Sequence, residues 1–205
     1  MLIETKNKIL ILLTGYACNN NCVICSLYTS KKSNINRTTK ELILEIKKGS
    51  KEKFERIEFS GGEPSIRKDI FKLISYAKSL GFKEIILNTN GRIFYYPTIC
   101  KEFVNCGLSK VVVSLHGHTP KLHNAITRTK DSFEQVIKGI ENMKIYSLEV
   151  VINSVVSKIN YKHLKQFGSF IFDSLGIRDW LLLDLIPEGN AYSLYSSLSV
   201  KLIEL

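Results

Sequence analysis

Three cysteines, Cys18, Cys22 and Cys25, stand in Thr14-Gly-Tyr-Ala-Cys-Asn-Asn-Asn-Cys-Val-Ile-Cys25, directly after the first apolar run of the chain. This CxxxCxxC spacing offers three thiolates from one short loop. Three thiolates hold a cubane iron–sulfur cluster and leave one iron without a protein ligand, where a small molecule can bind. Zinc sites more often use four protein ligands in paired CxxC spacing, or three with a bound water. The spacing favours a cluster and leaves zinc open.

A loop of thiolates needs a scaffold, and the chain supplies one by alternating β-branched runs with amphipathic stretches. The first strand is predicted over Lys8 to Leu13, and Thr38-Thr-Lys-Glu41 is a capping box opening a helix that Gly49 closes. A strand from Arg56 to Ser60 leads to a helix capped by Asp69, with Ile70, Leu73, Ile74, Ala77 and Leu80 on one face and Gly81 at its end. The third strand runs from Glu84 to Asn88, before a helix around Thr98 to Cys106. The fourth covers Lys110 to Leu115, before a helix capped by Ser132 that carries Val136, Ile137, Ile140 and Met143. Leu148 to Val156 gives the fifth strand, and a helix from Asn160 reaches Leu175 and Gly176. Asp179 to Ile186 is the sixth, with a closing helix over Ser196 to Leu205.

Six βα units in succession imply α/β architecture with parallel strands and right-handed crossovers. Six is two short of a closed eight-stranded barrel. The expected fold is therefore a partial (β/α)6 TIM-like barrel open on one side, with a flat doubly wound sheet as the alternative.

Such folds bind ligands at the carboxyl ends of their strands. Those ends carry Ser60-Gly61-Gly62-Glu63-Pro64, Asn88-Thr89-Asn90-Gly91, Ser114-Leu115-His116-Gly117, Asn153 with Ser154, and Pro187-Glu-Gly-Asn-Ala191. Two glycines let backbone approach a ligand closely, and Glu63 adds a charge or braces the loop. Taken alone, GGEP is equally a tight turn, Ser114 and Asn153 are equally satisfied buried groups, and the Asn88–Gly91 turn equally serves backbone geometry. His116, His118 and His123 are read as loop packing or substrate-side hydrogen bonding before metal ligation. Cys100 and Cys106, six apart on one predicted helix, are read as inert buried thiols.

The 205 residues are 44% hydrophobic and 23% charged, a globular composition with room for one domain, 1–205. Acidic and polar residues interrupt the first residues before any long apolar run, so no signal peptide or membrane span is expected. Five cysteines, three of them clustered, fit ligation in a reducing, cytoplasmic compartment rather than a disulfide framework. The net charge of +10 permits nucleic acid. The lysines are spread along helices, however, with denser groups only at Lys31-Lys32 with Arg37 and at Lys121, Arg128 and Lys130.

On Cys18, Cys22 and Cys25, on Gly61-Gly62-Glu63-Pro64 after the second strand, and on the polar strand ends, the sequence resembles the radical S-adenosylmethionine enzymes over essentially its whole length. The resemblance implies a [4Fe–4S] cluster on the three cysteines, with S-adenosylmethionine chelated to the fourth iron. It also implies reductive cleavage to a 5′-deoxyadenosyl radical that abstracts hydrogen, and an external flavodoxin- or ferredoxin-like electron donor. Gly61, Gly62, Glu63 and Pro64 would hold the methionyl end, with Asn90 beside them. Ser114 and Asn153 would bind its ribose or carboxylate, and Ile186 with the Pro187–Ala191 loop would contact adenine. Ile24 stands where the family usually has an aromatic residue. The Ser114–Gly117 and His123–Arg128 segments look most like the peptide- and protein-modifying maturases. No cysteine follows Cys106, so the auxiliary-cluster domain of those relatives is not expected. An RNA-modifying member of the superfamily and a non-catalytic zinc or iron–sulfur module are the alternatives. Anaerobic reconstitution with iron and sulfide is expected to give a brown protein whose Mössbauer spectrum shows a [4Fe–4S] cluster, and Cys22→Ala to lose it; a colourless protein with stoichiometric zinc would overturn the assignment.

Overall fold

Strands that are apolar on both faces have to be covered on both, and the two coverings here are unequal. A computed structural model describes residues 8–27 and 36–201. Its sheet comprises β1 (Ile9–Leu13), β2 (Arg56–Ser60), β3 (Glu84–Thr89), β4 (Lys110–Ser114), β5 (Glu149–Val155) and β6 (Asp179–Leu183). All neighbours are parallel and the order is sequential, β1 to β6. A doubly wound sheet reverses its strand order at a switch point, so the sequential order rejects that alternative and leaves the open partial barrel. The sixth strand stops at Leu183 rather than Ile186, where Val156 N–H closes on the Leu183 carbonyl at 2.8 Å.

The helices are α1 (Thr39–Lys51), α2 (Ile70–Ser79), α3 (Pro97–Cys106), α4 (Pro120–Thr127), α5 (Ser132–Ile145), α6 (Leu164–Ser169) and the short α7 (Tyr195–Leu198). Between them and the outer face of the sheet lies the main core, in which Leu12, Phe59, Leu87, Val113 and Ile152 meet Leu42, Ile74, Phe103 and Ile140. Each such apolar side chain contributes about 1.5–3 kcal/mol on burial. On the inner face Ile86, Val112 and Val151 are buried together, with Ile9 packed against them. Two residues further up β3, β4 and β5 the inner positions turn polar, as Asn88, Ser114 and Asn153, and Ser114 pairs in register with Asn153. The apolar plug thus forms the floor of a polar mouth.

Several local readings are corrected. The Thr38–Glu41 capping box is present, but α1 continues past Gly49 to Lys51. Gly49 is there for packing: a Cβ at this position would sit 2.5 Å from Leu10 Cδ2. Asp69 makes no cap bond to α2; its carboxylate accepts instead from Arg67 and from Thr39 Oγ1. The N-cap of α5 is Asp131, in left-handed backbone, while Ser132 Oγ donates to Asn124 Oδ1 at 2.8 Å. The helix α4, read from sequence as loop, begins with Thr119 at its N-cap and Pro120 in its first turn, a start signal that was available. The fifth predicted helix breaks into a 3₁₀ turn at Tyr161–His163, α6, and a π turn at Phe170–Ser174. Phe167 there packs edge-on to Trp180 at 5.1 Å. The predicted closing helix forms only over Tyr195–Leu198, and its last residues, like Lys31 and Lys32, lie outside the described residues. Among the described residues no helix is long and apolar enough to cross a membrane. Gly49→Val is expected to force Leu10 aside and to cost about 1–3 kcal/mol of stability in chemical denaturation.

Candidate functional site

The carboxyl ends of the strands surround a cavity of about 270 Å³ that reaches the three cysteines. Of the residues expected from sequence, Cys18, Cys22, Cys25, Gly61, Gly62, Glu63, Asn90, Ser114, Asn153 and Ile186 all line it, as does Ile24. Pro64 does not. It is buried and opens a 3₁₀ turn, Pro64–Ile66, that carries Ser65 back to Glu63.

The cysteine loop is fastened on every side. Gly62 N–H donates to the Gly15 carbonyl and Glu63 N–H to the Ala17 carbonyl, each at 2.8 Å. A Cβ on Gly61, whose φ is +125°, would lie 2.6 Å from Gly15 O, and one on Gly62 would lie 2.3 Å from Ala17 O. The glycines expected to admit a ligand therefore first admit the backbone of the cysteine loop. Tyr16 and Ala17 N–H both donate to Asn36 Oδ1 at 3.3 Å. Asn90 Nδ2 donates to Asn19 Oδ1 at 2.6 Å. Arg92 Nη1 donates to Asn19 O at 2.6 Å and to Asn20 Oδ1 at 2.7 Å, while its Nε reaches Gln135 Oε1 on α5. The C-terminal end of α4 accepts Asn21 and Val23 N–H through the Thr127 and Ile126 carbonyls. Beyond β6, Asn190 N–H donates to the Cys25 carbonyl at 2.7 Å and its Nδ2 to the Cys22 carbonyl at 3.3 Å.

Glu63 is 2% exposed. Its Oε1 accepts from Ser65 N, Ser65 Oγ and Thr89 Oγ1, and its Oε2 from Asn90 N. Burial pushes the carboxyl up, against donors that favour the charged form. Glu63 is thus a brace between the ends of β2 and β3, one of the two roles its sequence position suggested.

Burial pushes the Cys18 thiol up to about 11, opposed by the Asn20 N–H that donates to its Sγ at 3.4 Å. Cys22 is pushed up to about 12 by burial, with repulsion from Cys18 and Cys25 adding to it. Leu27 N–H donates to Cys25 Sγ at 3.4 Å. The buried thiols Cys18 and Cys22 hold their protons at neutral pH until a metal displaces them. Among the described residues no three His, Cys, Asp or Glu side chains form a group suited to one metal ion, which thiolates serving three separate irons do not require. The donor set fits a cluster with one open iron. The opposite wall fits a polar ligand, because among the described residues nothing pairs with the buried Asn153 Oδ1.

The histidines separate. His116 and His123 stack at 5.9 Å in the interior, while His118 turns toward His163 and Phe167. Cys100 and Cys106 lie on α3, donate to the Phe94 and Phe103 carbonyls, and are both pushed up to about 11 by burial. Sequence reasoning missed Asn19, Asn36, Arg92 and Gln135, and read Asn190 only as part of the Pro187–Ala191 loop rather than as a partner of the cysteine loop. Of those missed, only Arg92 left a signal, as a cation directly after the Asn88–Gly91 turn.

An open parallel barrel with thiols on one wall of its mouth and an orphaned amide oxygen on the other is the frame of a cofactor-dependent α/β enzyme. The family model described as the Radical SAM superfamily matches residues 12–171, and the chain belongs to that superfamily, whose enzymes use a [4Fe–4S] cluster with S-adenosylmethionine and need a source of electrons. A probable GTP 3′,8-cyclase of Sulfurisphaera tokodaii is 30% identical over 175 residues, covering 85% of this chain and 55% of that protein. The corresponding protein of Saccharolobus solfataricus is 27% identical, with 85% and 56% covered. The chain spans about half the length of these relatives. Among solved structures, anSMEcpe with bound AdoMet superposes with a TM-score of 0.72 at 22% identity, over 87% of this chain and 51% of that one. Streptococcus suis SuiB bound to the precursor peptide SuiA gives 0.74 at 17%, over 88% and 40%. These two show the fold. Arg92→Ala is expected to free Asn19 and Asn20, seen as faster amide exchange over Cys18–Cys22 while β3 stays protected.

Proposed function

We propose that Cys18, Cys22 and Cys25 each ligate one iron of a [4Fe–4S] cluster and that the chain, 1–205, forms one core domain that cleaves S-adenosylmethionine. The observation that carries this reading is that the three thiols and the unpartnered Asn153 Oδ1 line a single cavity. When bound, the reduced cluster and S-adenosylmethionine together supply a 5′-deoxyadenosyl radical for hydrogen abstraction.

The chain's own residues then bind and orient. The Gly61–Gly62 backbone and the Glu63 brace hold the methionyl ammonium and carboxylate beside the thiols, with Asn90 joining brace and loop. Pro64 acts at one remove, by setting the turn that supplies Ser65 to Glu63. Ser114 and Asn153 bind the ribose or the carboxylate. Ile24, which is buried, and Ile186, which is exposed, enclose the adenine and exclude water. The electron comes from a flavodoxin- or ferredoxin-like donor.

For the substrate, the matched relatives named as GTP 3′,8-cyclases support a purine nucleotide. A peptide or protein is the second reading, supported by the half-exposed Ile11 and Leu13 on one edge strand and Leu181 and Leu183 on the other. Reconstituted, reduced protein given S-adenosylmethionine is expected to release 5′-deoxyadenosine, and Cys22→Ala is expected to release none. A brown wild-type protein that makes no product would overturn the proposal.

A further inference from the structure

Glu58 is a carboxylate set into the apolar layer of the barrel. It stands on the inner face of β2, in register with Ile11 on one side and with Ile86 of the apolar plug on the other. Its Oε1 accepts from Asn88 Nδ2 at 3.2 Å, and Asn88 lines the cavity above. Among the described residues no cation pairs with this half-buried carboxylate. The cations on the same face of β2 and β4 are taken: Arg56 pairs with Glu84, and Lys110 with Glu84 and Glu149. The cavity carries the same sign. Asp184 and the braced Glu63 line it, and among the described residues no lysine or arginine does, although the chain has a net charge of +10. A carboxylate held in apolar surroundings is satisfied best by a cation that also donates hydrogen bonds. Beside it on the edge strand β1, Ile11 and Leu13 offer half-exposed apolar surface.

We propose that Glu58 sets substrate specificity by pairing with an alkylammonium group, the side chain of a lysine, whose stem lies along Ile11 and Leu13. Such a side chain is apolar along its stem and charged at its tip, the order in which this wall presents apolar surface and carboxylate. Asn88 acts as a positioning residue: it holds Oε1 and leaves Oε2 to the ammonium. The polyphosphate of a nucleotide would meet carboxylates here without a cation to offset them. The inference rests on the proposed function and narrows its substrate. The chemistry is the same for a lysine within a peptide and for the free amino acid, and the test separates the two.

Isothermal titration of cluster-loaded, unreduced protein saturated with S-adenosylmethionine tests this without turnover. The titrants are free lysine, Nα-acetyl-lysine methylamide as the peptide mimic, the same mimic acetylated at Nε and so neutral, and GTP. At least one of the two ammonium forms is expected to bind, and the neutral form to bind about ten-fold more weakly. The form that binds more tightly identifies the source. Glu58→Gln keeps the shape and removes the charge, and is expected to weaken the ammonium form by about ten-fold while the affinity for S-adenosylmethionine stays within about two-fold. Equal affinity for the charged and neutral mimics would overturn the proposal, and so would GTP binding where neither lysine form binds. A parallel loss of S-adenosylmethionine in Glu58→Gln would also overturn it, by giving Glu58 to the cofactor. Protein that binds S-adenosylmethionine and none of the four titrants would overturn this inference and leave the proposed function standing. Wild-type protein that holds its cluster and does not bind S-adenosylmethionine would overturn that function itself.

Discussion

The close contact between two stretches of backbone, Gly15–Ala17 of the cysteine loop and Gly61–Glu63 above β2, is the constraint from which the rest of the site follows. With Gly62 N–H and Glu63 N–H donating into the loop at 2.8 Å, there is no room for a side chain at either glycine. The contact places the thiols over the carboxyl ends of the strands, and it places the Glu63 side chain between Ser65 and the end of β3. Thr89 and Asn90 then complete the carboxylate, and Asn90 with Arg92 returns to the loop at Asn19 and Asn20. The loop, the brace and the third strand end form a closed ring of hydrogen bonds.

A ring of this kind suits buried thiols. Burial and mutual repulsion push the Cys22 thiol up, while backbone N–H groups are already aimed at Cys18 and Cys25. A cluster held there would have to displace thiol protons, within a loop whose backbone the protein already fixes. The far wall, by contrast, leaves Asn153 Oδ1 buried without a partner among the described residues. Protein interiors seldom leave such an atom unpaired, and here it stands where a polar ligand would enter.

The unequal coverings of the sheet explain the shape of the mouth. The outer face is sealed by helices, whereas the inner face is plugged only low down, by Ile86, Val112 and Val151. Above the plug, space remains between β1 and β6, which are not paired with each other among the described residues. Stability is concentrated on the outer side, which leaves the mouth free to carry polar side chains that contribute little to folding.

The architecture was legible in the sequence, because strand and helix periodicity, the Thr38–Glu41 cap and the CxxxCxxC loop are patterns within a few residues of one another. The strand-end position of the site followed from that order. Misread were features in which packing overrides a local signal, as when Leu10 occupies the place of a Gly49 side chain, or Arg67 and Thr39 take the Asp69 carboxylate from its helix. What the tertiary structure alone decided is how the cysteine loop is held. Arg92 lies 72 residues from Asn20, and Asn190 lies 168 residues from Cys22. At such separations no local periodicity links the partners, and only the closing of six βα units brings them within hydrogen-bond reach.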